Sequence, residues 1–335
     1  MQLNAIFFLF ALCLFIPRYS EAAEQQGIIN LKIDLQATEL PQPAKIWLPY
    51  PVSGPYQLIE NMDIKGNFVN SGVYKEPNSG ALYLYAEWPK GIDEKHLELG
   101  YKVSTKERQN RNLRDTGAPV PIEIQKYMQA DWWIPAGGQV EEIANGIKKD
   151  KKGILEKAQA VYDWVVENTV RDPSVKGCGL GIVEMTLRKL SGKCADISSV
   201  YVALARNVGV PAREVFGLRL GTKSEQDITG SYHCWAEFYL PGTGWVAVDP
   251  ADVRKKMLVD SLELADIKDL RKYFFGGVDA YRMTLESGGR GIIFQPAQAS
   301  KPLNYFMYPY AEINGKEIDY FDPQKFRYSV HFKKL

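Results

Sequence analysis

Gly192-Lys193-Cys194-Ala195-Asp196 opens the stretch whose reading decides the fold. An apolar run and Gly209-Val210-Pro211-Ala212-Arg213 follow, then Tyr232-His233-Cys234-Trp235-Ala236-Glu237, and Gly244-Trp245-Val246-Ala247-Val248-Asp249-Pro250 closes it. Ile197, Val200, Tyr201, Leu204 and Val208 recur at the spacing of one helix face, and Gly209 with Pro211 supplies the stop. Cys194 therefore stands at a helix N-terminus. Unpaired N–H groups and the helix dipole favour an anion there, first a thiolate and then the oxyanion of an acyl intermediate. Asp196, in the first turn, reads as a helix-start residue.

Downstream the period falls to two. His233, Trp235, Glu237 and Tyr239 share one strand face; Tyr232, Cys234, Ala236, Phe238 and Leu240 share the other. Pro241-Gly242-Thr243-Gly244 marks a turn, and Trp245 to Asp249 reads as a return strand. A loop of Pro241 to Thr243 pairs Leu240 with Gly244 and sets His233 diagonal to Asp249. A slip of one residue would turn Asp249 to the opposite face. A thiol nucleophile needs a base, and the base needs an orienting acceptor; Cys194, His233 and Asp249 are the candidates.

Together, Gly-Lys-Cys-Ala-Asp, Leu-Ala-Arg-Asn-Val-Gly-Val-Pro-Ala-Arg, His-Cys-Trp-Ala-Glu and Gly-Trp-Val-Ala-Val-Asp-Pro resemble the transglutaminase-like superfamily, a papain-like branch of thiol enzymes. The resemblance runs from about Glu156 to Arg254. It implies an α+β fold, with a helix bearing the cysteine packed on an antiparallel sheet bearing His and Asp. It also implies Cys194 as nucleophile, His233 as base and Asp249 as its orienter. The activity implied is that of a cysteine protease or amidase: acyl transfer from peptide or protein amides through a thioester, ending on water or an amine. Two alternatives stand beside it, a cross-linking protein-glutamine transglutaminase and a non-catalytic scaffold that keeps the fold. The complete triad speaks against the scaffold. Only about 80 residues follow Asp249, too few for the two β-barrels that follow the core in animal cross-linking enzymes. The loop from Gly221 to Gly230 offers a calcium ion only Glu225 and Asp227.

No cofactor or metal is expected. No Cys-x-x-Cys spacing occurs, so a zinc site using these cysteines and His233 is disfavoured. Gly177-Cys178-Gly179-Leu180-Gly181 lacks the Lys and Ser/Thr of a phosphate-binding loop and reads as a tight turn beside the site. Lys and Arg number 41 against 40 Asp and Glu, which gives no basic excess for a nucleic-acid partner.

Ile6 to Ile16 is apolar, and Ser20-Glu21-Ala22-Ala23 follows shortly after. Residues 1–23 thus have the length and exit of a signal peptide, which makes the protein periplasmic or secreted. Met1-Gln2-Leu3-Asn4 carries no Lys or Arg, so an uncleaved anchor is the other reading. No other run is long enough to span a bilayer. With Cys13 removed, Cys178, Cys194 and Cys234 remain; an odd number leaves one free thiol in an oxidising compartment. Cys234 reads as a buried thiol or a disulfide partner of Cys178.

Alternating runs over 24–118 suggest an N-terminal β-sandwich, 119–270 the catalytic core and 271–335 a C-terminal β extension. Within the last, Gly291–Phe294, Tyr305–Tyr308 and Tyr328–Phe332 read as strands, and Glu263 to Lys272 reads as a helix. The expected partner is a peptide or protein, cell-wall peptide among the candidates, with no nucleic acid and no membrane span in the mature chain.

Overall fold

A computed structural model describes residues 23–36 and 42–335. The leader reading of residues 1–23, including Cys13, lies outside the described residues, Ala23 apart. Among the described residues, no helix is long and apolar enough to cross a membrane.

Seven strands come first: β1 (Glu24–Gln36), β2 (Ala44–Pro49), β3 (Gln57–Gly66), β4 (Asn70–Lys75), β5 (Leu82–Trp88), β6 (Glu94–Lys106) and β7 (Arg108–Gln109). A 3-10 turn, Ile122–Met128, leads into α1 (Gln139–Lys148), α2 (Ile154–Asn168), β8 (Val170–Arg171), α3 (Val183–Lys189), β9 (Ser191–Gly192) and α4 (Cys194–Asn207). The central sheet then forms from β10 (Ala212–Arg219), β12 (Tyr232–Leu240) and β13 (Gly244–Val248), with β11 (Glu225–Asp227) between the first two. After α5 (Pro250–Asp260) and α6 (Lys268–Tyr273) come β14 (Gly277–Val278), β15 (Arg282–Ser287), β16 (Tyr310–Ile313), β17 (Lys316–Ile318) and β18 (Arg327–Lys334).

The central sheet runs β13-β12-β10-β15, antiparallel throughout. Leu240 pairs with Gly244 and Ala236 with Val248, the register read from the three-residue loop. Gly242 and Gly244 take positive φ, a region that costs a residue with a Cβ. Helix α4 packs on β12 and β10. Twelve of its fourteen residues are buried, so it is a core helix and not a one-faced surface helix. Ala203, Ala205 and Ser199 on its less apolar sides let neighbouring elements approach closely.

Two further antiparallel sheets flank this core, ordered β11-β18-β1-β6-β3 and β17-β16-β2-β5-β4. In β6 every second side chain from Lys95 to Thr105 is buried, the signature of a strand with one face on a core. The C-terminal stretch divides between sheets. Strand β15 joins the central sheet, while β16 pairs with β2, and β18 lies between β1 and β11.

Two of the strand-like runs behave differently. Residues around Ile292, Phe294 and Phe306 form only an isolated bridge, Ile292 to Leu303. They lie over the outer aromatic face of the second sheet, against Trp47, Tyr83, Tyr85 and Tyr310. Their apolar content answers to burial there and not to ladder pairing. The expected helix at Glu263–Lys272 shortens to α6, and α5 takes the preceding segment. Asp249 caps α5 by accepting a hydrogen bond from Asp252 N–H at 2.8 Å, and Pro250 occupies its first turn.

Candidate active site

Each candidate side chain is placed by a local feature. Cys194 is the first residue of α4. Asp196 Oδ2 accepts the Lys193 N–H at 2.9 Å and its Oδ1 the Gly181 N–H at 2.8 Å, which ties the glycine loop to the helix start. A Cβ on Gly179, at φ +92°, would stand 1.9 Å from Asp196 Oδ2, so only glycine lets the loop lie this close. The loop delivers Cys178, whose carbonyl accepts the Ala195 N–H at 2.9 Å.

His233, in β12, is buried, and its Nε2 lies 2.7 Å from Asp249 Oδ2 and 3.6 Å from Asp252 Oδ1. The other ring nitrogen is left for the thiol. Asp249 ends the return strand, and its Oδ2 also receives Arg282 Nη1 from β15. Arg282 Nη2 reaches Asp252 at 2.7 Å and Asp279 at 3.1 Å. Arg219 joins the same two acids at 2.5 and 3.2 Å. Three carboxylates thus face two guanidiniums, and a protonated His233 makes the network neutral.

The acid–base consequences follow from these neighbours. Burial works against a charged His233, but Asp252 and Asp249 outweigh it and hold the imidazole above its ordinary value. Burial likewise disfavours the Asp252 carboxylate, yet His233, Arg282 and Arg219 keep it well below the usual carboxylate range. Hydrogen bonds from Cys178 and Cys234, joined by His233, bring the Cys194 thiol well below its ordinary value against the cost of its burial. Cys178 is pushed up, first through its hydrogen bond with Cys194, and Cys234 is pushed up by burial. The three sulfurs lie within 4.8 Å of one another although their residues are far apart in the chain. All three are free thiols; Cys178 donates to Tyr232 O at 3.2 Å, and Cys234 lies 3.7 Å from Met307 Sδ.

This thiol group has a donor set that suits soft cations, a possibility invisible to a test based on Cys-x-x-Cys spacing. His233, Asp249 and Asp252 also converge, but Arg282 and Arg219 already neutralise those carboxylates, so a cation there would meet like charge. The loop residues Glu225 and Asp227 sit in β11, paired with β18.

The sequence reading placed Cys194, His233 and Asp249 in contexts that converge here. Asp252, Asp279, Arg219 and Arg282 stand outside those motifs as candidates. Asp252 carries a local signal, three residues beyond a capping Asp-Pro. Arg282 carries none, because only the β10–β15 pairing brings it in. Trp235 and Glu237 do serve packing and ion pairing: Glu237 is buried between Arg108 at 2.5 Å and Arg213 at 2.7 Å, and Trp235 packs with Val215, Ala247 and Val278.

A cleft of ≈ 510 Å³ opens onto His233 and Cys178. A second of ≈ 530 Å³ is lined by Arg108, Arg213, Glu237 and Glu286 and by none of the triad candidates.

Comparison with known proteins shows the family. Residues 141–250 match the model of the transglutaminase-like superfamily. A Haemophilus influenzae protein without an assigned function is 37% identical over 318 residues, covering 87% of this chain and 86% of the relative. A protein-glutamine gamma-glutamyltransferase of Pseudomonas aeruginosa is 31% identical over 94 residues, 25% of this chain and 14% of that protein. A crystal structure from Cytophaga hutchinsonii, described only provisionally as a cysteine protease, shares the fold with a TM-score of 0.56 at 14% identity. It covers 93% of this chain and 99% of its own.

Proposed function

We propose that this chain, which belongs to the transglutaminase-like superfamily, is an exported thiol enzyme that transfers or hydrolyses acyl groups of peptide and protein amides. The observation that carries the reading is the buried chain Cys194–His233–Asp249, closed by a network that becomes neutral when His233 is protonated. A thiolate–imidazolium pair is the state such surroundings favour. The export assignment rests on residues 1–23 as read from the sequence.

In this reading the Cys194 thiolate attacks the amide carbonyl. Among the described residues, the N–H groups of Ala195 and Ile197 are committed to Cys178 O and Lys193 O, so those of Cys194 and Asp196 remain for the oxyanion. His233 gives its proton to the leaving amine as the C–N bond breaks, leaving a thioester. It then takes a proton from water or an acceptor amine as that nucleophile displaces Cys194. Asp249 holds the ring by its Nε2.

The test is turnover of amide substrates by purified protein, with the thioester trapped and its position mapped by mass spectrometry. Acylation at Cys194, lost in Cys194→Ala and slowed in Asp249→Asn, is expected. An unaltered rate in Cys194→Ala would end the reading. Calcium-dependent incorporation of an amine label into a glutamine-containing protein would move it to the cross-linking class.

A further inference from the structure

The cleft that opens onto His233 and Cys178 is one-sided in charge. Its charged lining consists of Arg171, Lys193, Arg219, Lys255 and Arg327, with His233 beside them, and no Asp or Glu lines it. Arg219 is committed to Asp252 and Asp279, and Arg327 approaches Asp34 at 3.8 Å. Among the described residues, Arg171, Lys193 and Lys255 make no salt bridge. Arg171 Nη1 is buried with no hydrogen-bond partner. A guanidinium carries five N–H donors, and the part of the half-buried Arg171 that lines the cleft can hold a carboxylate by charge-assisted hydrogen bonds. Its position is also set: Arg171 ends β8, which pairs in parallel with β9, Arg171 opposite Gly192, two residues before the nucleophile.

The lining also holds a packed aromatic cluster. Tyr308 stacks on Tyr320 with ring centres 4.7 Å apart, and Phe321 lies 5.1 Å from Tyr308 and 4.4 Å from Tyr320. A bare inorganic anion would leave this cluster uncovered. A chain that carries both amides and carboxylates covers it and meets the basic residues at once.

We propose that the cleft recognises acidic peptides, with a carboxylate seated on Arg171 and neighbouring carboxylates in the field of Lys255 and Arg327. The inference rests on the reading of Cys194 as the acyl-accepting thiol and adds the charge class of what reaches it.

Iodoacetate and iodoacetamide separate the two ideas, because they alkylate the same thiol and differ in charge. Iodoacetamide alone reports whether Cys194 is reactive. The ratio of iodoacetate to iodoacetamide rates, compared with that of free cysteine, reports the field. In wild type this ratio should exceed that of free cysteine and collapse toward it in about 1 M salt, where the Debye length is about 3 Å. Each of Arg171→Gln, Lys255→Gln and Arg327→Gln should lower it by about 1.5- to 2.5-fold, and the triple variant by about three- to tenfold. Arg171→Lys should retain most of it, and Lys90→Gln, on a turn of the sandwich, should leave it unchanged.

A blocked tetrapeptide, Ala-Glu-Glu-Ala, should protect Cys194 from iodoacetamide at concentrations at least about fivefold below its Gln-Gln analogue. Cys194 that reacts with iodoacetamide at a ratio no higher than free cysteine would overturn the inference alone. Protection by inorganic phosphate equal to that by the acidic peptide would overturn the peptide class. Absence of any Cys194 alkylation would remove the nucleophile and this inference with it.

Discussion

Replacing Arg282 with Gln tests the charge network beneath the triad. The side chain is 2% exposed and touches Asp249, Asp252 and Asp279. Its removal leaves Arg219 facing the two acids it already holds and deprives Asp249 of its guanidinium. Removing one partner of a buried pair typically costs about 3–5 kcal/mol, because the remaining charge stays buried without compensation. That corresponds to a fall in Tm of about 5–15 °C for a domain of this size. The pH dependence gives a second readout. The depressed Asp252 and Asp279 values mean that the network stabilises the fold above the ordinary carboxylate pKa, and that this contribution fades as pH falls through the lowered values. In Arg282→Gln those carboxylates protonate at higher pH and so relieve their own repulsion. The gap between wild type and variant should therefore be widest near neutrality and narrow toward about pH 4. Thermal melts by circular dichroism across that range measure it. Arg282→Lys keeps the charge but not the fork, and should fall between the two. A Tm change below about 3 °C at pH 7, or a gap that widens on acidification, would show that the network does not carry the energy assigned to it.

The remaining expectations concern single groups. Iodoacetamide at pH 6 should label Cys194 ahead of Cys178 and Cys234, since the first thiol is lowered and the other two raised; faster labelling of either neighbour would refute the assignment of the low-pKa thiol. Gly179→Ala combines φ +92° with a 1.9 Å approach to Asp196, so a loss of about 2 kcal/mol or more is expected; an unchanged melting temperature would mean that the loop is not held by Asp196. Burial raises Glu286 to about 8 from an ordinary 4.5, partly opposed by the Gly289 N–H. Because the folded value is the higher one, this group's contribution is full below the unfolded pKa and is lost as pH rises toward 8. The stability of wild type relative to Glu286→Gln should thus decline by about 3–4 kcal/mol between pH 5 and 8, measured by urea titration; a flat difference would argue against a protonated Glu286.

The parts legible from sequence share a property: local periodicity sets them. The helix after Cys194, the period-two strand at His233 and the loop length that fixes the Asp249 register all follow from residues close in the chain. Arg282 is not legible as a site residue, since it arrives through a long-range pairing with no local pattern, whereas the glycine pattern at residues 177–181 puts the loop of Cys178 beside the site. Helix α5 escaped because its buried side is narrow, chiefly Val253 and Met257 after the first turn, while its Asp-Pro start was read only for the triad. The strand-like runs at Ile292 and Phe306 show the converse case. Short apolar aromatic runs arise when a segment roofs a sheet as well as when it joins one.

The pairing of β18 with β1 constrains the order in which this protein can assemble. Gly27 is opposite Lys334 and Asp34 opposite Arg327, so the first strand, which pairs with β6 on one edge, fills its other edge only after nearly the whole chain is available. Strand β2 likewise waits for β16. Contacts of such sequence separation bring high contact order and slow folding. A chain halted during synthesis would expose the unpaired edge of β1, so a vectorial, domain-by-domain route is closed to the flanking sheets. A circular permutant that joins the ends of β18 and β1 and opens the exposed turn around Lys90 would convert this distant pairing into a hairpin, and it should refold faster while keeping the same sheets.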